Sequence, residues 1–204
     1  MSNNTGLMPF NGHRIQSRSS ESFIDAHEVI SRLNLMGDEV FLDAGCGDGH
    51  VAMEAHNILN KNANIYALDI YEPSIEDLEK EIKEKNISNI IPIHSDISSS
   101  ISLSNDMIDV TLMINVFHGF VAQNNVDESI MELKRITKPK GKIAVMDYKK
   151  IESKYGPPLY VRKNQKELEE LFHKHNLKLL IQDDNIGELY EDGTKSHYLM
   201  IFEK

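Results

Sequence analysis

The chain has 204 residues, 40% hydrophobic and 26% charged, which suits one folded domain with a real core and excludes disorder as its main state. A net charge of −10 opposes approach to phosphate polymers and anionic lipid, so nucleic acid is not an expected partner. The lone cysteine, Cys46, rules out an internal disulfide, no apolar run reaches the roughly 18 residues of a membrane span, and the polar start lacks a signal-peptide pattern, so a cytoplasmic protein is expected.

Residues 1–18, rich in Asn, Gly, Ser and Arg, read as an arm outside the main core, and residues 19–204 as a single domain. From Ser19 on, Phe23, Ala26, Ile30 and Leu33 recur at helical spacing, with Ser19 or Ser20 as N-cap and Gly37 as the stop. An apolar run at 40–42 leads into a glycine cluster and a helical pattern over 51–59. Strand and helix then alternate: an apolar run at 65–70, a helix opened by Pro73, a strand at 90–94, another at 107–114, and a helix striped by Val126, Ile130 and Leu133. Pro139 and Gly141 predict a turn before a fifth strand at 142–146. Near-continuous apolar strands separated by helices imply a doubly wound α/β fold, a parallel sheet covered on both faces. Beyond a Gly156-Pro157-Pro158 loop, Leu168, Leu171 and Phe172 mark a helix, and the runs 177–181 and 197–202 lack a helix between them, so they pair antiparallel. Residues 134–166 hold eleven basic residues and only Asp147 and Glu152 as acids, a face able to attract an anion through Arg162.

The stretch Asp43-Ala44-Gly45-Cys46-Gly47-Asp48-Gly49 stands where a buried strand turns into a helix. Glycines there let a small ligand lie on the main chain near a helix N-terminus, at the carboxyl ends of the strands where such folds bind ligands. Asp69 lies 20 residues after Gly49, at the end of the second strand, where it can accept from two ribose hydroxyls. Two cofactors compete. A dinucleotide site shows G-x-G-x-x-G, whereas here the spacing is G-x-G-x-G with His50 next. Asp43 would repel a pyrophosphate and attract an amino group, which favours a zwitterionic nucleoside.

On these residues, together with Ala67-Leu68-Asp69-Ile70, His94-Ser95-Asp96-Ile97, the strand 109–115 and Pro139-Lys140-Gly141-Lys142, the chain resembles the class I S-adenosylmethionine-dependent methyltransferases over roughly residues 38–148. The resemblance implies a Rossmann-like, seven-stranded, mostly parallel sheet with an antiparallel C-terminal strand. It implies S-adenosyl-L-methionine as cofactor and S-adenosyl-L-homocysteine as product. Asp43 and the amides around Gly45, Cys46, Gly47 and Gly49 would hold the methionine part, Asp69 the ribose, and Ile70, Asp96 and the Ile97 amide the adenine. Asn115 would border the sulfonium and the acceptor. Within the family the chain looks most like the small-molecule, quinone-biosynthesis branch, through His13 and Arg14 in the arm, Phe117-His118, and Gly156-Pro157-Pro158 followed by Arg162.

Methyl transfer from a sulfonium disperses charge and needs chiefly a dry, well-positioned pocket. A base is required only for an acceptor that must lose a proton, and His118 or His13 is then the candidate. Arg14, Tyr148 and Arg162 are candidates for binding a small-molecule acceptor. The histidines are scattered, so no metal is expected, and no pattern speaks to oligomeric state. A nucleoside-binding regulator without turnover and an NAD-dependent oxidoreductase are the alternatives.

Overall fold

A computed structural model describes residues 8–10, 13–15 and 24–204, the first two stretches as backbone only. Those two are short strands, β1 (Met8–Phe10) and β2 (His13–Ile15), which pair antiparallel with each other and not with the main sheet. The side chains of His13 and Arg14 lie outside the described residues, as do Ser19, Ser20 and Phe23.

The first helix is shorter than its spacing suggests. It is α1 (Ala26–Ser31), capped by Asp25, whose side chain accepts the Glu28 amide at 3.1 Å. Asn34 in a left-handed conformation (φ 50°) follows it closely, so the chain has left the helix well before Gly37.

The rest alternates as the apolar runs demand: β3 (Phe41–Ala44), α2 (His50–Ile58), β4 (Ile65–Asp69), α3 (Glu72–Glu84), β5 (Ile90–His94) and β6 (Ile108–Ile114). Next come α4 (Phe117–Gln123), α5 (Val126–Ile136), β7 (Thr137–Tyr148), α6 (Gln165–Lys174), β8 (Lys178–Leu189) and β9 (Lys195–Glu203). The seven-stranded sheet runs β5-β4-β3-β6-β7-β9-β8. The first five of these strands are mutually parallel, and β9 is antiparallel to both β7 and β8. Strand order reverses between β3 and β6, and the crevice at their carboxyl ends is where a ligand has room.

Successive side chains along a strand face opposite ways, which builds two cores. Phe41, Ile65, Leu112 and Met146 pack with α1, α2 and α3 on one face, and Leu42, Leu68, Met113 and Val145 with α4, α5 and α6 on the other. In the second core Phe172 stacks on Phe202 with ring centroids 4.1 Å apart, and full burial of each such ring contributes about 1.5–3 kcal/mol.

Pro139-Lys140-Gly141 is not a turn that precedes the fifth strand. It lies inside β7 as a bulge: Ile108 faces Thr137, yet Val110 already faces Lys142. Lys140 takes a positive φ of 65°, and its amide and the Gly141 carbonyl pair with Lys204. The bulge accommodates a proline, which has no N–H for a ladder. No helix among the described residues is long and apolar enough to cross a membrane.

Candidate active site

The glycine loop leaves β3 and crosses the end of β4, with the Gly45 and Cys46 amides both donating to the Leu68 carbonyl at 2.7 and 2.9 Å. Gly45, Gly47 and Gly49 all have positive φ. A Cβ at position 45 would stand 2.3 Å from Val116 Cγ2, and one at position 49 would stand 2.5 Å from Leu78 Cδ1. The positive φ and these close approaches together favour glycine at 45 and 49. Cys46 fills the loop, with its thiol buried on the Gly47 carbonyl side and pushed up by that burial.

Asp69 ties the loop to the next strand. Its Oδ2 accepts the Gly47 amide and its Oδ1 the Tyr71 amide, each at 2.8 Å. Beside it, the Ser95 amide donates to the Asp69 carbonyl, and Asp96 Oδ1 accepts the amide and hydroxyl of Ser98, so Asp96 shapes a turn and caps no helix. His94 Nε2 lies 3.1 Å from the Ile70 carbonyl, joining the segments that carry Ile70 and Ile97.

Asp43 differs from both. It is 2% exposed, and its Oδ2 is buried with no hydrogen-bond partner among the described residues. Burial first, and then the charge of Asp69, push its carboxyl up to about 8, against a downward pull from the Ala52 amide at the start of α2. A buried carboxyl oxygen left without a partner costs about 1–3 kcal/mol, and a ligand ammonium, which favours the ionised form, would satisfy it. The amino group of S-adenosylmethionine is such a cation, and the residues present fit that molecule.

At the other side of the crevice, β6, β7 and β9 end together. His118, in the first turn of α4, places Nδ1 2.9 Å from Asp147 Oδ1, and its backbone amide donates to Asp147 Oδ2 at 2.9 Å. Burial raises Asp147, but the facing His118 ring with its Nδ1 hydrogen bond, and the amides of His118 and Tyr148, outweigh it and hold the carboxyl below its usual value. A carboxylate accepting from Nδ1 places the imidazole lone pair on Nε2. Asn115, just past β6, meets His197 of β9. Tyr148, at the end of β7, lies against His197 and under the Arg162 guanidinium, and its hydroxyl is pushed up to about 12, chiefly by burial.

Arg162 has a different task from the one expected of it. Buried at 4% exposure, it donates to the carbonyls of Pro157, Lys149, Ile151 and Tyr155 and to the Ser153 hydroxyl, knitting the loop after β7. The basic stretch around it is likewise engaged: Lys138, Lys150 and Arg135 pair with Asp109, Glu167 and Glu132, and Lys134, Lys142 and Lys149 donate to carbonyls.

The structure thus gathers Asp43, the loop glycines, Asp69, Asp96 and Ile97 around the ends of β3, β4 and β5, and Asn115, His118 and Tyr148 around the ends of β6 and β7. Sequence reasoning missed Asp147 and His197. Asp147 carried a signal, an acid ending a buried strand; His197 carried none until β9 is placed beside β7. Among the described residues no group of three or more His, Cys, Asp or Glu could hold a metal ion.

A family described as a methyltransferase domain matches residues 36–203. No curated protein matches the chain. Among solved structures, an S-adenosylmethionine-dependent methyltransferase from Aquifex aeolicus is 20% identical, with a TM-score of 0.76 over 91% of this chain and 92% of that one. A second, from Methanosarcina mazei, is 16% identical, with a TM-score of 0.69 over 86% and 96%. The [4+2]-cyclase SpnF is 15% identical, with a TM-score of 0.71 over 88% and 79%. Likeness at such identity concerns the fold, and the cyclase shows that one fold hosts more than one chemistry.

Proposed function

The chain belongs to the methyltransferase-domain family over residues 36–203 and is an S-adenosylmethionine-dependent methyltransferase; from that premise we propose that its acceptor is a small molecule and that the residues gathered above divide the work as follows. Asp43 Oδ2 receives the ammonium of the methionine part, Asp69 the ribose hydroxyls, and Ile70, Asp96 and the Ile97 amide border the adenine. The buried Asp43 oxygen, without a partner among the described residues, is the observation that carries this assignment.

When bound, S-adenosylmethionine supplies a methyl group on a sulfonium. The protein aligns the acceptor with it and keeps water out. His118, oriented by Asp147 at 2.9 Å, is the base for an acceptor that must lose a proton, taking it at Nε2. Such a base suits a phenolic hydroxyl, which is the support for a quinone-type acceptor. A small acceptor is also favoured by the net charge of −10, which opposes the approach of a phosphate polymer. Arg162 serves this reaction by shaping the loop beside Tyr148.

Calorimetry with S-adenosylmethionine, S-adenosylhomocysteine and NAD tests the binding half. The first two should bind, and Asp69→Ala should weaken them about 10- to 100-fold, the loss of hydrogen bonds to a charged group. Binding of NAD alone would overturn the assignment. Release of S-adenosylhomocysteine with a panel of phenols tests turnover; binding without release from any acceptor would favour a regulator.

A further inference from the structure

The buried imidazole on β9 has no task in the scheme above. We infer that His197 is a positioning residue, which holds the Asn115 carboxamide so that its N–H donors, and not its carbonyl oxygen, face the methyl-transfer centre. The inference rests on the cofactor reading of the crevice.

Asn115 is the first residue past β6, with a positive φ of 59°, a conformation that asparagine tolerates better than most residues. Its amide still donates to the Met146 carbonyl of β7 at 2.9 Å, while its side chain reaches over β7 to β9, where Oδ1 lies 2.9 Å from His197 Nε2. A carbonyl oxygen only accepts, so Nε2 carries the hydrogen. Nδ1 then bears the lone pair and accepts the Ser196 hydroxyl at 2.6 Å. One tautomer satisfies both contacts.

The surroundings are shaped around this ring. His197 is fully buried, and the Tyr148 ring lies against it with centroids 4.1 Å apart. On another side, a Cβ at Gly187 would stand 2.4 Å from His197 Nδ1 and 2.7 Å from Ser196 Oγ. The edge strand β8 slips register on both sides of Ile186, between Asp183 and Leu189, at this place. Burial makes a charged imidazole costly here and lowers His197 to about 4. An apolar side chain would pack at less cost, so the position serves the hydrogen bond.

Asn115 precedes Val116, whose Cγ2 occupies the space above Gly45, so its backbone stands at the edge of the glycine loop while its carboxamide turns toward β9. With Oδ1 taken by His197, the NH2 group is what remains to meet a ligand. It suits an electron-rich oxygen of the acceptor, and disfavours an ammonium, whose own N–H groups need acceptors, where the methyl group sits.

Two ligands read this orientation without any acceptor: S-adenosylhomocysteine, which has no group at the methyl position, and sinefungin, which carries an ammonium there. In the wild type, calorimetry should show sinefungin binding no more tightly than S-adenosylhomocysteine. In His197→Phe the carboxamide can turn its carbonyl inward, and the affinity ratio should move at least fivefold toward sinefungin. His197→Gln, which can donate to Oδ1 again, should restore the wild-type ratio, and Gly187→Ala, which crowds the ring, should fall between. A ratio unchanged within twofold in a folded His197→Phe overturns the proposal. Independently, nitrogen-15 spectra of the unliganded wild type should show the neutral Nε2–H tautomer; an Nδ1–H tautomer overturns it even where a variant fails to fold. If the expected tautomer is present and S-adenosylhomocysteine does not bind, it is the cofactor reading that fails, and the link to methyl transfer with it.

Discussion

The two halves of the crevice treat their polar groups in opposite ways. Around β3 and β4 the main chain is bare, positive φ and close packing favour glycine at 45 and 49, and Asp43 keeps a buried oxygen with no partner among the described residues. At the crevice end of β6, β7 and β9 two sets of buried polar groups are paired: His118 with Asp147, and His197 with Asn115 and Ser196. A half that leaves a buried carboxyl unsatisfied stores a cost that a bound cation relieves by favouring the ionised form. A half whose hydrogen bonds are closed fixes directions instead, and so suits orientation of a reacting group.

Substitutions can break this contrast. The largest effect is expected at Gly45→Ala, where a φ of 83° and a 2.3 Å approach to Val116 combine left-handed strain with overpacking, about 2–5 kcal/mol in urea unfolding. An alanine tolerated there would mean that the loop adapts, and that the two halves differ less than described.

Next comes the pH dependence, which has opposite signs on the two sides. Asp43 at about 8, against an ordinary 3.8, lets the folded chain hold a proton that the unfolded chain has lost, so stability falls as pH rises from about 4 to about 8. His197 at about 4, against an ordinary 6.5, is neutral when folded while the unfolded ring is charged, so stability falls as pH drops from 6.5 to 4. The fully developed His197 contribution is about 3 kcal/mol. The slopes oppose each other between about 4 and 6.5. Asp43→Asn should expose a stability that rises with pH in that window, and His197→Gln one that falls steadily to about 8, both readable in urea titrations. Identical profiles in the two variants would erase the distinction.

Smaller effects sharpen it. Arg162→Ala removes a buried guanidinium that supports the loop after β7, at about 1.5–3 kcal/mol, and should open residues 149–157 to protease while cofactor binding changes little. Asn164→Ala, which ends the capping box of α6 with Glu167, should cost about 1 kcal/mol and leave both halves of the crevice unmoved.

Much of the first half was legible in the sequence, because it is built from local signals. Buried strands read as apolar runs, and the glycine spacing and Asp69 announce themselves in consecutive letters. The second half depends on partners far apart in the chain. The seven-residue α4 contains Gly119 and lacks a side-chain cap, and it is held by a bond from the His118 amide to Asp147, 29 positions away; propensity alone does not see it. Pro139 and Gly141 carry a turn signal, but the pairing with Lys204 draws them into β7. Arg162 looked like a ligand for anions because its loop carbonyls cannot be counted before the loop is folded.

Cys46 gives this chain a built-in reporter. Its thiol is the single sulfhydryl in the sequence and lies sealed inside the loop that would touch the methionine part of the cofactor, on the Gly47 carbonyl. Alkylation by a maleimide should therefore proceed only as fast as that loop breathes. Labelling kinetics, slowed further by whatever fills the crevice, would count openings of the cradle without a probe being engineered into it.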